Sequence, residues 1–164
     1  MPPQLQYPDI DPPKDWTYFR AGPQIRLIPP GTRQDTAEHA IIISPIVPKL
    51  PQMPGLSALI EQALEAESRM SFEVTAKSGP TPVTSTTGLT GVSYDVSGYA
   101  RPNRPSERRL YVMLEDDKYL YGVSYLTAPE LFDQHVDTFW AVAKSVRPFD
   151  GRAVPPAPYP FPVE

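Results

Sequence analysis

The chain has 164 residues, among them 23 prolines, 9 glycines and no cysteine, so proline stands at about three times its usual share. That length suits one domain able to bury roughly two thirds of the surface its unfolded form exposes, and 40% hydrophobic with 21% charged residues is too apolar for a wholly disordered chain. A net charge of −4 disfavours nucleic acid, the missing cysteines exclude disulfides, thiolate nucleophiles and cysteine metal sites, and the absence of any run of 18 apolar residues argues against stable membrane insertion.

In chain order, the prolines come first. Twelve fall in residues 1–54, five in 55–147 and five in 155–164, which places the core in the middle of the chain. Residues 1–14, with Pro2, Pro3, Pro8, Pro12 and Pro13, read as an extended leader that either wraps the surface or is mobile. The start Met1-Pro2-Pro3-Gln4 lacks the basic and apolar regions of a secretory signal, from which a cytoplasmic location is expected. Trp16 to Arg20 and Gln24 to Ile28 are β-prone and flank the turn signal Ala21-Gly22-Pro23, so a hairpin is expected. Ala40 to Ser44 is a short β-branched run, the pattern of a strand covered on both faces. Pro45, Pro48, Pro51 and Pro54 then carry a connection without regular structure.

From Gly55 to Met70 the period becomes helical, with Leu56, Leu59, Ile60, Ala63 and Leu64 on one stripe. Phe72, Val74 and Ala76 alternate with Glu73, Thr75 and Lys77 in a strand, and Ser78 to Gly88, rich in Ser, Thr, Pro and Gly, reads as a loop. Leu89 to Ala100 predicts a long strand with Val92, Tyr94, Val96 and Gly98 on one face. Strands over Arg109 to Leu114 and Tyr119 to Thr127 are joined by the polar hairpin Glu115-Asp116-Asp117-Lys118. Thr127 and Glu130 have capping-box spacing, Pro129 suits a first helical turn, and Phe132, Val136, Phe139, Trp140 and Ala143 form the apolar stripe of a last helix that Pro148 stops. The class is α+β: an antiparallel sheet of six or seven strands packed by two main helices, over residues 15–149, followed by a proline-rich tail at 150–164.

This order of elements resembles the Mog1/PsbP-like superfamily. The resemblance spans residues 16–149 and rests on Leu59-Ile60, on Thr87-Gly88-Leu89-Thr90-Gly91, on Tyr119 to Tyr125 running into the helix with Phe132 and Phe139, and on the closing Ser145-Val146-Arg147. It implies binding rather than catalysis, because the superfamily shares no catalytic motif, and it carries over no cofactor and no active-site residue. Among its branches, the cytosolic chaperones of bacterial type VI secretion effectors fit an acidic, cysteine-free chain. The resemblance therefore implies an adaptor or chaperone for a secreted or membrane-inserting effector, whose hydrophobic segment would be the partner.

Each group of candidate contact residues has a plainer role beside the functional one. Arg101, Arg104, Arg108 and Arg109 gather four guanidiniums within nine residues and form the preferred polar contact site, although a solvated loop and edge strand is the commoner meaning of such a run. Tyr119, Tyr121 and Tyr125 share a strand face with Val123; facing away from the helices they make a platform for a partner, facing them they are core. Glu115, Asp116 and Asp117 lack the wider ligand spacing of a calcium loop and read as a hairpin tip, so no metal is expected. His135 near Asp133 or Asp137 lacks a nucleophile and reads as structural; a small-ligand site or enzyme pocket between sheet and helices near His135 is the alternative. Arg152, Pro155 and Pro158 have the spacing read by polyproline-binding grooves, while Tyr159 and Phe161 could pack on their own domain or on a second subunit, which would make a homodimer.

Overall fold

The computed structural model describes residues 5–31, 39–100 and 105–150, with Ala100 described by its backbone alone. Eight strands form one antiparallel sheet. β1 (Thr17–Ala21) and β2 (Gln24–Ile28) make the expected hairpin, turning at Gly22, whose φ of 62° lies in the left-handed region that glycine enters without strain. β3 (Ala40–Ile43) is buried along its whole length, as its unbroken β-branched run predicts. β4 (Val47–Pro48) is a two-residue strand inside the proline-rich connection, where no regular structure was expected. The remaining strands are β5 (Phe72–Thr84), β6 (Thr90–Ala100), β7 (Ser106–Glu115) and β8 (Tyr119–Thr127). Their order is β1-β2-β3-β8-β7-β6-β5, with β4 added on the β3 side of β8 through Val47 opposite Leu120 and Pro48 opposite Tyr119.

β5 corrects the expected loop at Ser78 to Gly88. It runs on to Thr84, with Thr81, Val83 and Thr84 opposite Ser93, Gly91 and Thr90 and two register shifts, the second spanning the cis Gly79-Pro80 bond. Composition misled because β5 is an edge strand, where Pro80 and Pro82 can lack an N–H without breaking a ladder bond.

The sheet is the middle of three layers. α1 (Leu56–Met70) packs on one face over β5, β6 and β7, burying Leu56, Ile60 and Leu64, with Ile60 and Leu64 packed among Phe72, Tyr94 and Val96. Those three side chains, at about 1.5–3 kcal/mol each, hold the helix far more firmly than its exposed Glu65–Arg69 pair, worth at most about 0.5 kcal/mol. α2 (Phe132–Lys144) packs on the other face, where Phe132, Phe139, Val142 and Ala143 join Tyr121, Val123, Tyr125 and Leu114 in the larger core. Alternation along β8 divides the two: Tyr121, Val123 and Tyr125 point to α2, and Leu120, Gly122 and Ser124 to α1.

The entry into α2 differs from the expected capping box. Pro129–Leu131 form a 3-10 turn before the helix, no side chain caps either start, and the Thr127 hydroxyl donates to the Ala128 carbonyl instead. The leader also does more than lie on the surface. Tyr7 and Ile10 are core residues on the α2 face, joined there by Trp16 just past the leader, Asp9 forms a β-bridge with Arg147, and the Asp11 N–H donates to Ser145 Oγ at 2.8 Å.

Candidate functional site

α1 and the sheet do not meet along their full width. On the α1 face, Gly122 and Ser124 of β8 and Ser44 just after β3 offer almost no side-chain volume, so the floor beside the helix is low. A Cβ built on Gly122 would sit 3.5 Å from Ser44 Cβ, an ordinary contact with space left above it. The resulting groove has a volume of about 200 Å³ and runs between Leu59 and Ala63 on α1 and Pro45 and Val47 beside β8, floored further by Met113. Val47, at 43% exposure, stands open on its rim. A second trough of about 450 Å³ shares Leu120 with the groove and lies between the connection Lys49 to Gly55 and the β7–β8 hairpin; Leu50, on its wall, is 60% exposed. An ion pair of Lys49 Nζ with Glu115 at 2.9 Å closes its polar side. A third cavity, of about 660 Å³ on the outer flank of α1, is lined by Glu61, Gln62, Glu65, Ser68 and Lys77 together with the apolar Ala58, Leu64 and Val74.

Sequence reasoning missed the groove, although two signals pointed to it. The apolar stripe of α1 is wider than its core contact, because Leu56, Ile60 and Leu64 are buried while Leu59 is half-buried and Ala63 exposed. Gly122 interrupts a strand of large side chains, the usual mark of a place where something else approaches.

The arginine cluster is not assembled as one site among the described residues. Arg101 and Arg104 lie outside them. Arg108 and Arg109 are consecutive on β7 and therefore point to opposite faces. Arg108 makes a two-pronged contact with Asp95, at 3.0 and 2.7 Å, and lies 3.6 Å above the Phe132 ring on the α2 side. Arg109 donates to Glu107 at 2.9 and 2.7 Å and to Glu67 at 2.7 Å, and lies 3.8 Å above Phe72 on the α1 side. Both charges are thus committed to internal carboxylates. Tyr111 completes the second network, donating to Glu67 at 3.2 Å, with burial pushing its pKa up to about 12.

The tyrosine row resolves as core. Tyr121 and Tyr125 are fully buried beneath α2, so the expected partner platform is corrected for these two: the apolar stripe of α2 occupies their face. Their hydroxyls are used internally, Tyr125 donating to the Phe132 carbonyl at 3.0 Å and Tyr121 to Asp116 Oδ2 at 2.7 Å. Tyr119 is only partly buried and meets the Phe149 ring edge-on, with centroids 5.0 Å apart.

Glu115 to Lys118 form the hairpin tip that the spacing suggests. Asp116 shapes it: Oδ1 accepts from the N–H groups of Lys118 and Tyr119, each at 2.8 Å. Burial pushes the Asp116 pKa up, but the hydrogen bonds from Tyr121 and these N–H groups outweigh it and hold the carboxyl below its ordinary value. His135 lies on the far face from the groove, edge-on to Trp16 at 5.2 Å and stacked on His39 at 5.3 Å, and burial lowers its pKa. None of the three cavities is lined by His135. The two histidines, remote in sequence, meet in space, yet among the described residues no three His, Asp or Glu side chains gather as a metal site. No helix among the described residues is long and apolar enough to cross a membrane.

No protein-family profile and no curated protein matches the chain. Solved structures do match its shape. The cyanobacterial PsbP protein (CyanoP) of Synechocystis superposes with a TM-score of 0.55 at 12% identity, over 84% of each chain. A Pseudomonas aeruginosa protein of unknown function superposes with a TM-score of 0.48 at 11% identity, over 82% of this chain and 97% of the other. The fold is the Mog1/PsbP-like fold that the order of elements suggested.

Proposed function

We propose that this chain is a non-enzymatic protein-binding module that holds a short apolar segment of a protein partner in the groove between α1 and β4, acting as a bacterial cytoplasmic adaptor or chaperone for a secreted or membrane-inserting protein. The observation that carries the proposal is the groove itself, a low floor at Gly122, Ser124 and Ser44 with the apolar rim of Leu59, Ala63 and Val47 left open. Half-open apolar surface of this kind is costly in water and is the usual mark of an interaction site. A volume of about 200 Å³ is small for a drug-sized ligand and suits one or two side chains of an extended or helical segment. The second expectation, a ligand or enzyme site near His135, draws no support from the three cavities described among these residues, which lie elsewhere. Arg108 and Arg109 do not support a polar contact site either, because their charges are already paired.

A photo-crosslinking side chain placed at Ala63 or Val47 in the native cell tests the proposal. The expected product joins the groove to one apolar segment of a single partner protein, and Gly122→Leu, which fills the floor, abolishes it. Equal crosslinking from Gln62, on the outer side of the same helix, or none from the groove positions, would overturn the proposal.

A further inference from the structure

We propose that the C-terminal segment 151–164 of this same chain is the resident occupant of the groove and the adjoining trough, its Tyr159 and Phe161 seated against Leu50, Val47 and Leu59. The inference rests on the reading of the groove as a binding site and makes the tail the competitor that a partner must displace.

The point at which the described chain ends carries the argument. Phe149 is tied to the start of β8: its N–H donates to the Tyr121 hydroxyl at 2.7 Å and its ring packs on Tyr119. Tyr119 and Leu120 pair with Pro48 and Val47 of β4, and Val47 and Leu120 line the groove. The chain therefore leaves at the end of the sheet where the groove and trough open. It emerges on the α2 face, so to reach the α1 face it must pass the β7–β8 hairpin tip, where Glu115 and Asp117 border the trough. Arg152, two residues beyond Asp150 in the sequence, carries the charge that would pair with Asp117 on that path.

Length permits the path. Fourteen residues follow Asp150. At roughly 3.1 Å per residue in a polyproline helix they span about 40 Å, whereas the 15-residue α1 is only about 22 Å long. Composition favours it as well. Five prolines narrow the backbone choices of the segment and so lower the entropy that docking would cost, while Val154, Tyr159, Phe161 and Val163 supply apolar area and only Arg152 and Glu164 are charged. Covalent attachment raises the local concentration of these side chains to the millimolar range, so weak contacts suffice to keep them in place.

The absence of cysteine makes the test clean, because Val163→Cys carries a single spin label on the full chain. The expected result is selective loss of amide signal intensity at Val47, Leu50, Leu59 and Ala63 in NMR spectra of the labelled protein, reversed when Tyr159→Ala and Phe161→Ala are added. Those tail substitutions leave every described core residue in place. Loss confined to the α2 face, or no selective loss, would overturn the proposal. So would loss arising only when labelled chains are mixed with isotopically labelled, spin-free chains, which would assign the groove to the tail of a second copy. The partner crosslink is an independent readout: its failure with selective signal loss retained removes the partner reading alone, and the reverse outcome removes the tail alone.

Discussion

Gly91 and Gly122 look alike in sequence, each a glycine within a strand, yet they stand in opposite circumstances. A Cβ at Gly91 would fall on the backbone carbonyl of Met113, whereas one at Gly122 meets only Ser44 at ordinary contact distance. Gly91→Ala is therefore expected to destabilise the fold by at least the ~1–3 kcal/mol typical of overpacking, and Gly122→Ala to be neutral or stabilising, since it removes backbone freedom from the unfolded chain. Urea denaturation of the two variants checks this directly, and equal losses would contradict it. Asp116 offers a second residue-scale prediction. Its carboxyl is held below its ordinary pKa, so the stabilisation is complete above the unfolded value and is lost as pH falls through the folded one. Stability of the wild type should thus decline in acid below about pH 4, and Asp116→Asn, less stable at neutral pH, should show a shallower decline when melting temperature is followed against pH.

At the scale of elements, what the sequence revealed and what it hid have separate causes. The helices at Leu56–Met70 and Phe132–Lys144 were legible because each carries a broad apolar stripe at helical spacing. The faces they occupy were not, because a period fixes which side of a helix is apolar and says nothing about which side of a sheet receives it. The second half of β5 was hidden by prolines that an edge strand tolerates. The leader was hidden in the same way: prolines suggested a surface strap, yet Ile10 is 2% exposed and packs beside α2. Ile10→Ala is accordingly expected to cost about 2–5 kcal/mol, as for other buried aliphatic truncations, and a melting temperature close to wild type would show that the leader contributes nothing to the core.

For the whole molecule, the candidate site is a property of packing between distant segments. Ser44, Ala63, Met113 and Gly122 converge only once α1 and β8 share a face, and none of them carries chemistry that a sequence motif would flag. The residues that did attract attention, the arginines and tyrosines, drew it through charge and aromaticity, and the fold spends most of those described on its own interior. Polar and aromatic side chains are conspicuous in a sequence for the same reasons that make them useful in a core. A hollow left by small residues is silent.

The bridge between Asp9 and Arg147 has a mechanical consequence. Arg147 also pairs with the Asp11 carboxylate, so the incoming leader and the segment that leaves α2 are clasped side by side at one spot. Both segments are also tied to the sheet side, the leader through Gln6 and Tyr7 and the exit from α2 through Phe149, so the clasp couples two segments that are each anchored on their own. Leader and α2 exit form, in this sense, a single handle.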